Sequence, residues 1–293
     1  MKISGTFPAG AFGSLLTGGI AIGFAGILMR LSDVNPVASA FWRMALALPI
    51  LWIWAIASQT KDRAEGKRTD FTLVLLIAGC FFAGDLGIWH LSLSYTTVAN
   101  ATLLSNFAPI LIALWMWLIH KTRFARVFLV GMAVSIIGVI MLVGPNAALG
   151  GNKLLGDGLG LATAVLYAAY QLVVKDARRQ YSTARLMAWS TTVTALVLLP
   201  FALLMPGAFL PEHSAGWWPL LGLAIIAQIG GQAVIAYALA HLPSALSSVS
   251  LLIQPLTAAI AAWIIFQEVI GPVQMAGGVL LLLGIYLAKR GNQ

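Results

Sequence analysis

Charge is what this chain has least of. Its 293 residues include nine Asp and Glu and seventeen Lys and Arg, so 9% are charged while 60% are hydrophobic. A soluble chain of this length needs a polar surface that so few charges cannot supply, which excludes a water-soluble fold and leaves an integral membrane protein. Cysteine is nearly absent: Cys80 stands alone inside an apolar run, excluding an intramolecular disulfide and a thiolate metal cluster. The four histidines are scattered, without HExxH or similar ligand spacing, so no metal site and no cofactor is implied. The formal net charge of +8 would suit a nucleic-acid partner, yet the bases fall in short clusters between apolar runs. That distribution fits the positive-inside rule better than a nucleic-acid-binding patch of phosphate contacts.

Long apolar runs are what is there. A membrane helix needs about 20 apolar residues, and ten segments qualify: roughly 10–31, 36–57, 71–93, 97–119, 125–143, 156–174, 184–204, 217–240, 244–266 and 272–288. The first follows Lys2 and precedes an ASA tripeptide at 38–40, as a signal peptide would. Its apolar run is too long for a signal core and Arg30 sits near its end, so it is expected to stay as a span.

Alternate connections carry the bases: Lys61, Arg63, Lys67 and Arg68, then Lys121, Arg123 and Arg126, then Lys175, Arg178, Arg179 and Arg185. Lys2, Lys289 and Arg290 fall on the same side, and the opposite connections hold only Lys153. This asymmetry predicts cytoplasmic N- and C-termini.

The chain also repeats itself at an offset of 146. Leu93 meets Leu239, Ala99 meets Ala245, Pro109 meets Pro255, and Ala113 meets Ala259; Trp117 meets Trp263, Val127 meets Val273, Gly131 meets Gly277, and Gly138 meets Gly284. Shared apolar composition would match Ala and Leu, but not Pro, Trp and two Gly at one offset. The expected units are residues 1–145 and 146–293, each of five helices, joined in one integrated membrane domain. Five is odd, so the second copy enters from the opposite side. The predicted fold is an all-α membrane protein of ten helices in two inverted repeats, an architecture associated with transporters whose binding site lies near the midplane.

Several stretches resemble one family. NPVASAFWRMALALPIL, SYTTVANATLLSNFAPILIALWMWLI, AHLPSALSSVSLLIQPLTAAIAAWIIFQE, RVFLVGMAVSIIGVIML and PVQMAGGVLLLLGIYLAKR are similar to the second, fourth, ninth, fifth and tenth helices of EamA-type members of the drug/metabolite transporter superfamily. The resemblance implies a five-plus-five helix fold working by alternating access. Within the family, the functional analogy is with YddG-like inner-membrane exporters of aromatic and other apolar amino acids. Family members carry a Glu just after the fourth and ninth helices; here Glu268 fills the second place, while His120 stands near the first.

Polar residues inside the spans are the candidate site. Asp85 lies mid-helix, where a charge costs at least ~2.5–3.5 kcal/mol. It either binds a substrate ammonium, carries a coupling ion or proton, or is neutral and bonded to a neighbouring helix. Trp89 shares its face one turn on, whereas His90 points about 140° away and reads as a packing residue. Arg43 snorkels outward, pairs with Asp85, or attracts a carboxylate. Glu268, at an outer helix end, reads as solvated or capping. Ser105 and Asn106 interrupt an apolar run just before Pro109, and Gln254 just precedes Pro255; the two prolines are expected to bend their helices at one depth. Gln228 and Gln232 lie one turn apart, and Tyr167, Tyr170 and Gln171 form a stripe. Uncharged hydrogen-bonding groups beside aromatics suit a semi-apolar cavity; helix–helix glue is the competing reading.

These features predict a secondary transporter with a small-molecule substrate and the bilayer as its partners, for which a monomer suffices. The expected location is a bacterial-type inner membrane. A membrane enzyme would need a convergent nucleophile, base or metal constellation, and a passive channel a ring of charges or carbonyls; neither is visible. Export of aromatic or hydrophobic amino acids ranks above efflux of drugs or lipophilic cations. Nucleotide-sugar transport ranks below both, since no buried Lys and Arg cluster could hold phosphate.

Overall fold

The computed structural model describes residues 8–92, 95–96, 98–146 and 154–291, so Lys2, Leu93 and Lys153 lie outside the described residues. Among the described residues every regular element is helical, and ten helices are long and apolar enough to cross a membrane. They are α1 (Ala9–Leu31), α2 (Pro36–Ala57), α3 (Leu73–Ser92), α4 (Ala101–Leu118), α5 (Arg126–Val143), α6 (Leu154–Gln180), α7 (Thr183–Leu204), α8 (Ser214–Leu239), α9 (Ser244–Phe266) and α10 (Pro272–Arg290). Their outward faces carry large apolar side chains, among them Ile53, Leu196, Phe201 and Val279. Apolar residues outside as well as inside are what a lipid solvent permits and water does not.

The inverted repeat is visible in how helices choose neighbours. α3 packs on α6 and α7, and its counterpart α8 packs on α1 and α2; α5 packs on α10 and α2 on α7, each pair spanning the repeats. In the α5–α10 pair, a Cβ on Gly138 would meet the Gly277 carbonyl at 2.8 Å, and one on Gly277 would meet the Gly138 carbonyl at 2.8 Å. Gly131 and Gly284 face each other in the same way: a Cβ on either would lie 2.7 Å from the other's carbonyl. Rising numbers on α5 therefore meet falling numbers on α10, so the helices are antiparallel. The offset of 146 converts the first pair into the second, which is the signature of a two-fold axis crossing the helices. Small residues let the two backbones touch, the main source of helix association where lipid removes the hydrophobic drive.

Two counterpart helices are interrupted at the same register. α4 consists of segments Val98–Ser105 and Ala108–Leu118, and α9 of Ser244–Ser250 and Ile253–Phe266. Pro109 has no N–H for the Ser105 carbonyl, and Pro255 has none for that of Leu251, positions that are themselves 146 apart. Three-residue bonds take over around each break, from Phe107 N to Leu104 O at 3.1 Å and from Gln254 N to Leu251 O at 3.0 Å. A third irregularity has no counterpart in the other repeat: α8 is wound as a π-helix over Leu223–Ala233.

Candidate functional site

The irregular helices surround one cavity of about 800 Å³. Its deep wall is built by Arg43 from α2, Asp85 from α3, Tyr167 from α6, Gln232 from α8 and Gln254 from α9. Ser105 and Asn106 line it from the α4 break and Pro255 from the α9 break. Toward the mouth stand Arg30 near the end of α1, Glu268 just beyond the end of α9 and Gln274 near the start of α10, all beside the base-poor connections. The cavity thus runs from mid-span to the face opposite the basic loops.

Helical spacing accounts for the α3 contribution. Phe82, Asp85, Leu86 and Trp89 recur at intervals of three and four and all face the cavity. His90 is buried on another face, donating from Nδ1 to the Leu86 carbonyl with Nε2 3.0 Å from Met29 Sδ.

Arg43 and Asp85 are 6% and 8% exposed. Among the described residues neither has an ion pair within 4.0 Å. Arg43 donates from Nε to Gln228 Oε1 at 3.2 Å, Gln228 donates from Nε2 to Thr191 Oγ1 at 3.0 Å, and the guanidinium carbon lies 5.7 Å from the Phe82 ring centre. One edge of the guanidinium is thereby fixed and its terminal nitrogens remain for a ligand. Asp85 has no protein hydrogen bond among the described residues. Arg43 and Asp85 thus place a basic and an acidic side chain on one buried wall, with no ion pair within 4.0 Å among the described residues.

The uncharged groups are partly committed. Gln254 donates to the Tyr167 hydroxyl at 3.4 Å, tying α9 to α6 beside the break. Ser105 Oγ and Asn106 Nδ2 both donate to the Thr102 carbonyl, at 2.9 and 2.7 Å. The Asn106 side-chain carbonyl and the Ser105 oxygen lone pairs are left to accept from the cavity side. Phe82, Tyr170 and Tyr167 stack in series, with ring centres 4.6 and 6.4 Å apart.

Of the nine cavity residues expected from sequence, Asp85, Trp89, Ser105, Asn106, Tyr167, Gln232 and Gln254 lie on this wall. Gln228 stands behind Arg43, and Gln171 is buried off the wall with Oε1 unbonded. Pro255 reaches the wall and Pro109 does not.

Sequence reasoning missed the pairing of Arg30 with Glu268, 2.6 Å apart at the mouth, with Arg30 also 4.1 Å over the Phe266 ring. Two ends 238 residues apart in sequence offer no local signal for such a pair. It also missed the π-winding of α8, for which the adjacent Gly230 and Gly231 were the available hint.

The model of the EamA-like transporter family matches residues 10–144 and again 154–290, and that of Solute carrier family 35 matches residues 88–205. An uncharacterized transporter of Archaeoglobus fulgidus is 28% identical, covering 90% of this chain and 91% of its own. A probable terminal-alkyne amino-acid exporter of Streptantibioticus cattleyicolor is 25% identical over 92% of this chain and 89% of its own. The pseudopaline exporter CntI of Pseudomonas aeruginosa (strain UCBPP-PA14) is 23% identical over 74% and 75%. A solved crystal structure superposes with a TM-score of 0.81 at 15% identity, covering 97% of this chain and 99% of its own, which speaks for the fold alone. With both halves matched by one family model, this chain belongs to the EamA-like transporter family of the drug/metabolite transporter superfamily, and is a transporter rather than an enzyme.

Proposed function

We propose that the protein exports amino acids with apolar or aromatic side chains across a bacterial-type inner membrane, by alternating access around the central cavity. The observation that carries this reading is the placement of Arg43 and Asp85 on one wall with no ion-pair partner within 4.0 Å among the described residues. Arg43 takes the substrate carboxylate through its terminal nitrogens, Asp85 takes the ammonium, and Phe82, Trp89 and Tyr167 receive the side chain. A substrate with both charges neutralises both buried groups, whereas a lipophilic cation would leave Arg43 uncompensated in low dielectric. The named exporters among the relatives support the direction, and one of them is named for an amino acid.

In this reading the termini and basic loops are cytoplasmic, a monomer is the working unit, and the cavity opens to the outside. Ser105, Asn106, Gln232 and Gln254 supply the remaining hydrogen bonds to substrate. The breaks before Pro109 and Pro255 are the places where α4 and α9 change direction between states. Asp85 is also the proton carrier if transport is driven by a pH gradient.

Reconstitution into sealed liposomes with a panel of labelled amino acids, with and without a pH gradient, tests the assignment. Counterflow of unmodified aromatic amino acids is expected. Counterflow of lipophilic cations with none of amino acids would replace the substrate assignment by the efflux reading. Basic loops labelled by a membrane-impermeant reagent in inverted membrane vesicles, and protected from it in intact cells, are the orientation expected.

A further inference from the structure

A second cavity, of about 560 Å³, lies at the other end of the molecule, where the α2–α3, α6–α7 and α8–α9 connections meet. It does not communicate with the groups assigned to transport: none of its lining residues lines the central cavity. Four cations line it, Lys61, Lys67, Arg178 and Arg179, against two acids, Asp62 and Glu65. Asp62 is buried and already accepts from Ser182 Oγ at 2.8 Å. Lys67 donates to the Arg179 carbonyl at 3.0 Å, which clamps the α2–α3 connection over the α6–α7 turn. Arg178 donates to the Tyr181 carbonyl and leaves its buried Nε without a partner.

The other two cations are held only by exposed acids. Lys61 Nζ is 3.8 Å from Glu65, and Arg179 Nε is 3.4 Å from Asp176, with more than half of each side chain in the open. Exposed pairs of this kind bind weakly and yield to a better anion. The rim carries Trp54 and Tyr237, both exposed, the residue types that settle at the headgroup level of a bilayer. A positively charged recess, with interfacial aromatics at its rim and apolar helix faces beside it, matches a molecule that has a phosphate at one end and acyl chains at the other.

We propose that this recess binds the phosphate of an anionic phospholipid headgroup. The lipid would tie the three connections together at the end of the molecule opposite the substrate mouth.

The test uses the full-length protein in a neutral detergent, titrated with dioctanoyl phosphatidylglycerol, dioctanoyl phosphatidylcholine or inorganic phosphate, with binding read by native mass spectrometry. Phosphatidylglycerol should bind in preference to phosphatidylcholine. Lys61→Gln and Arg179→Gln should each weaken it about fivefold, the contribution of one cation near a membrane surface. Both side chains are largely exposed, so the lipid-free melting temperature should stay unchanged. Lys121→Gln, on the same face outside the recess, should leave binding as it is. Equal retention of the two lipids would overturn the proposal, and so would an equal loss from Lys121→Gln, which would mean general surface attraction. Saturation by inorganic phosphate with no preference for the lipid would also overturn it, assigning the recess to a free anion.

Discussion

Arg43 on α2 donates from Nε to Oε1 of Gln228 on α8 across 3.2 Å, and Gln228 is held in turn by Thr191 on α7. A long flexible cation is thereby given one orientation in the cavity wall by an amide that does not itself line the cavity. Gln228→Leu keeps the volume and removes the anchor. The expected result is a rise of about tenfold in the substrate concentration needed for half-maximal transport, the size expected for one hydrogen bond to a charged group. An unchanged half-saturation value, at equal amounts of folded protein, would separate Gln228 from the site.

Arg43→Gln and Asp85→Asn should divide the substrate between its two ends. Removing Arg43's charge is expected to abolish amino-acid counterflow while sparing amines that lack a carboxylate. Removing that of Asp85 should spare carboxylates that lack an ammonium. Identical loss for all three ligand types in either variant would point to a structural role for that residue.

Proton coupling is a separate question about the same carboxylate. Asp85→Asn should prevent accumulation driven by a pH gradient yet allow exchange between equal pools, measured with the residual substrate the variant still binds. Gradient-driven accumulation that survives the substitution rules Asp85 out as the carrier.

At the mouth, Arg30 and Glu268 bridge the end of α1 and the end of α9 at 2.6 Å, about half exposed on each side. The proposed alternating access requires these ends to change their separation. With Cys80 replaced by Ser, leaving no native thiol, Arg30→Cys with Glu268→Cys joined by a bifunctional thiol reagent should stop transport. A cleavable linker should restore it on reduction. Continued turnover in the cross-linked protein would show that this end does not move.

Packing of the repeats gives a stability test. Gly277→Ala places a methyl 2.7 Å from Leu142 N and 2.8 Å from the Gly138 carbonyl, where only backbone could yield. Overpacking costs about 1–3 kcal/mol, so a lower melting temperature in detergent is expected. Gly138→Ala, its partner across the axis, should lower it by a similar amount. Gly13→Ala has nothing within 4 Å and should be neutral or slightly stabilising.

Much of this was readable from residue order. Pro109 and Pro255 at one offset marked the two broken helices, because a missing N–H and a ring clash act wherever the chain goes. The α3 face of Asp85 and Trp89 followed from helical spacing, and His90 was set apart by the same geometry. The inverted repeat followed from an odd number of spans in each copy.

Other features were not readable, because periodicity specifies which residues share a face and leaves open what that face meets. Tyr167 and Gln171 are one turn apart on α6, yet the first lines the cavity and the second is buried against protein. Gln228 and Gln232 are likewise one turn apart, but α8 is π-wound there, and one holds Arg43 while the other faces the cavity. Sequence by itself determined the spans, their pairing into repeats and the depth of the breaks, since backbone hydrogen bonding in lipid is a local demand. Only the tertiary structure decided which polar groups face one another, because that depends on how each helix is rotated against its neighbours.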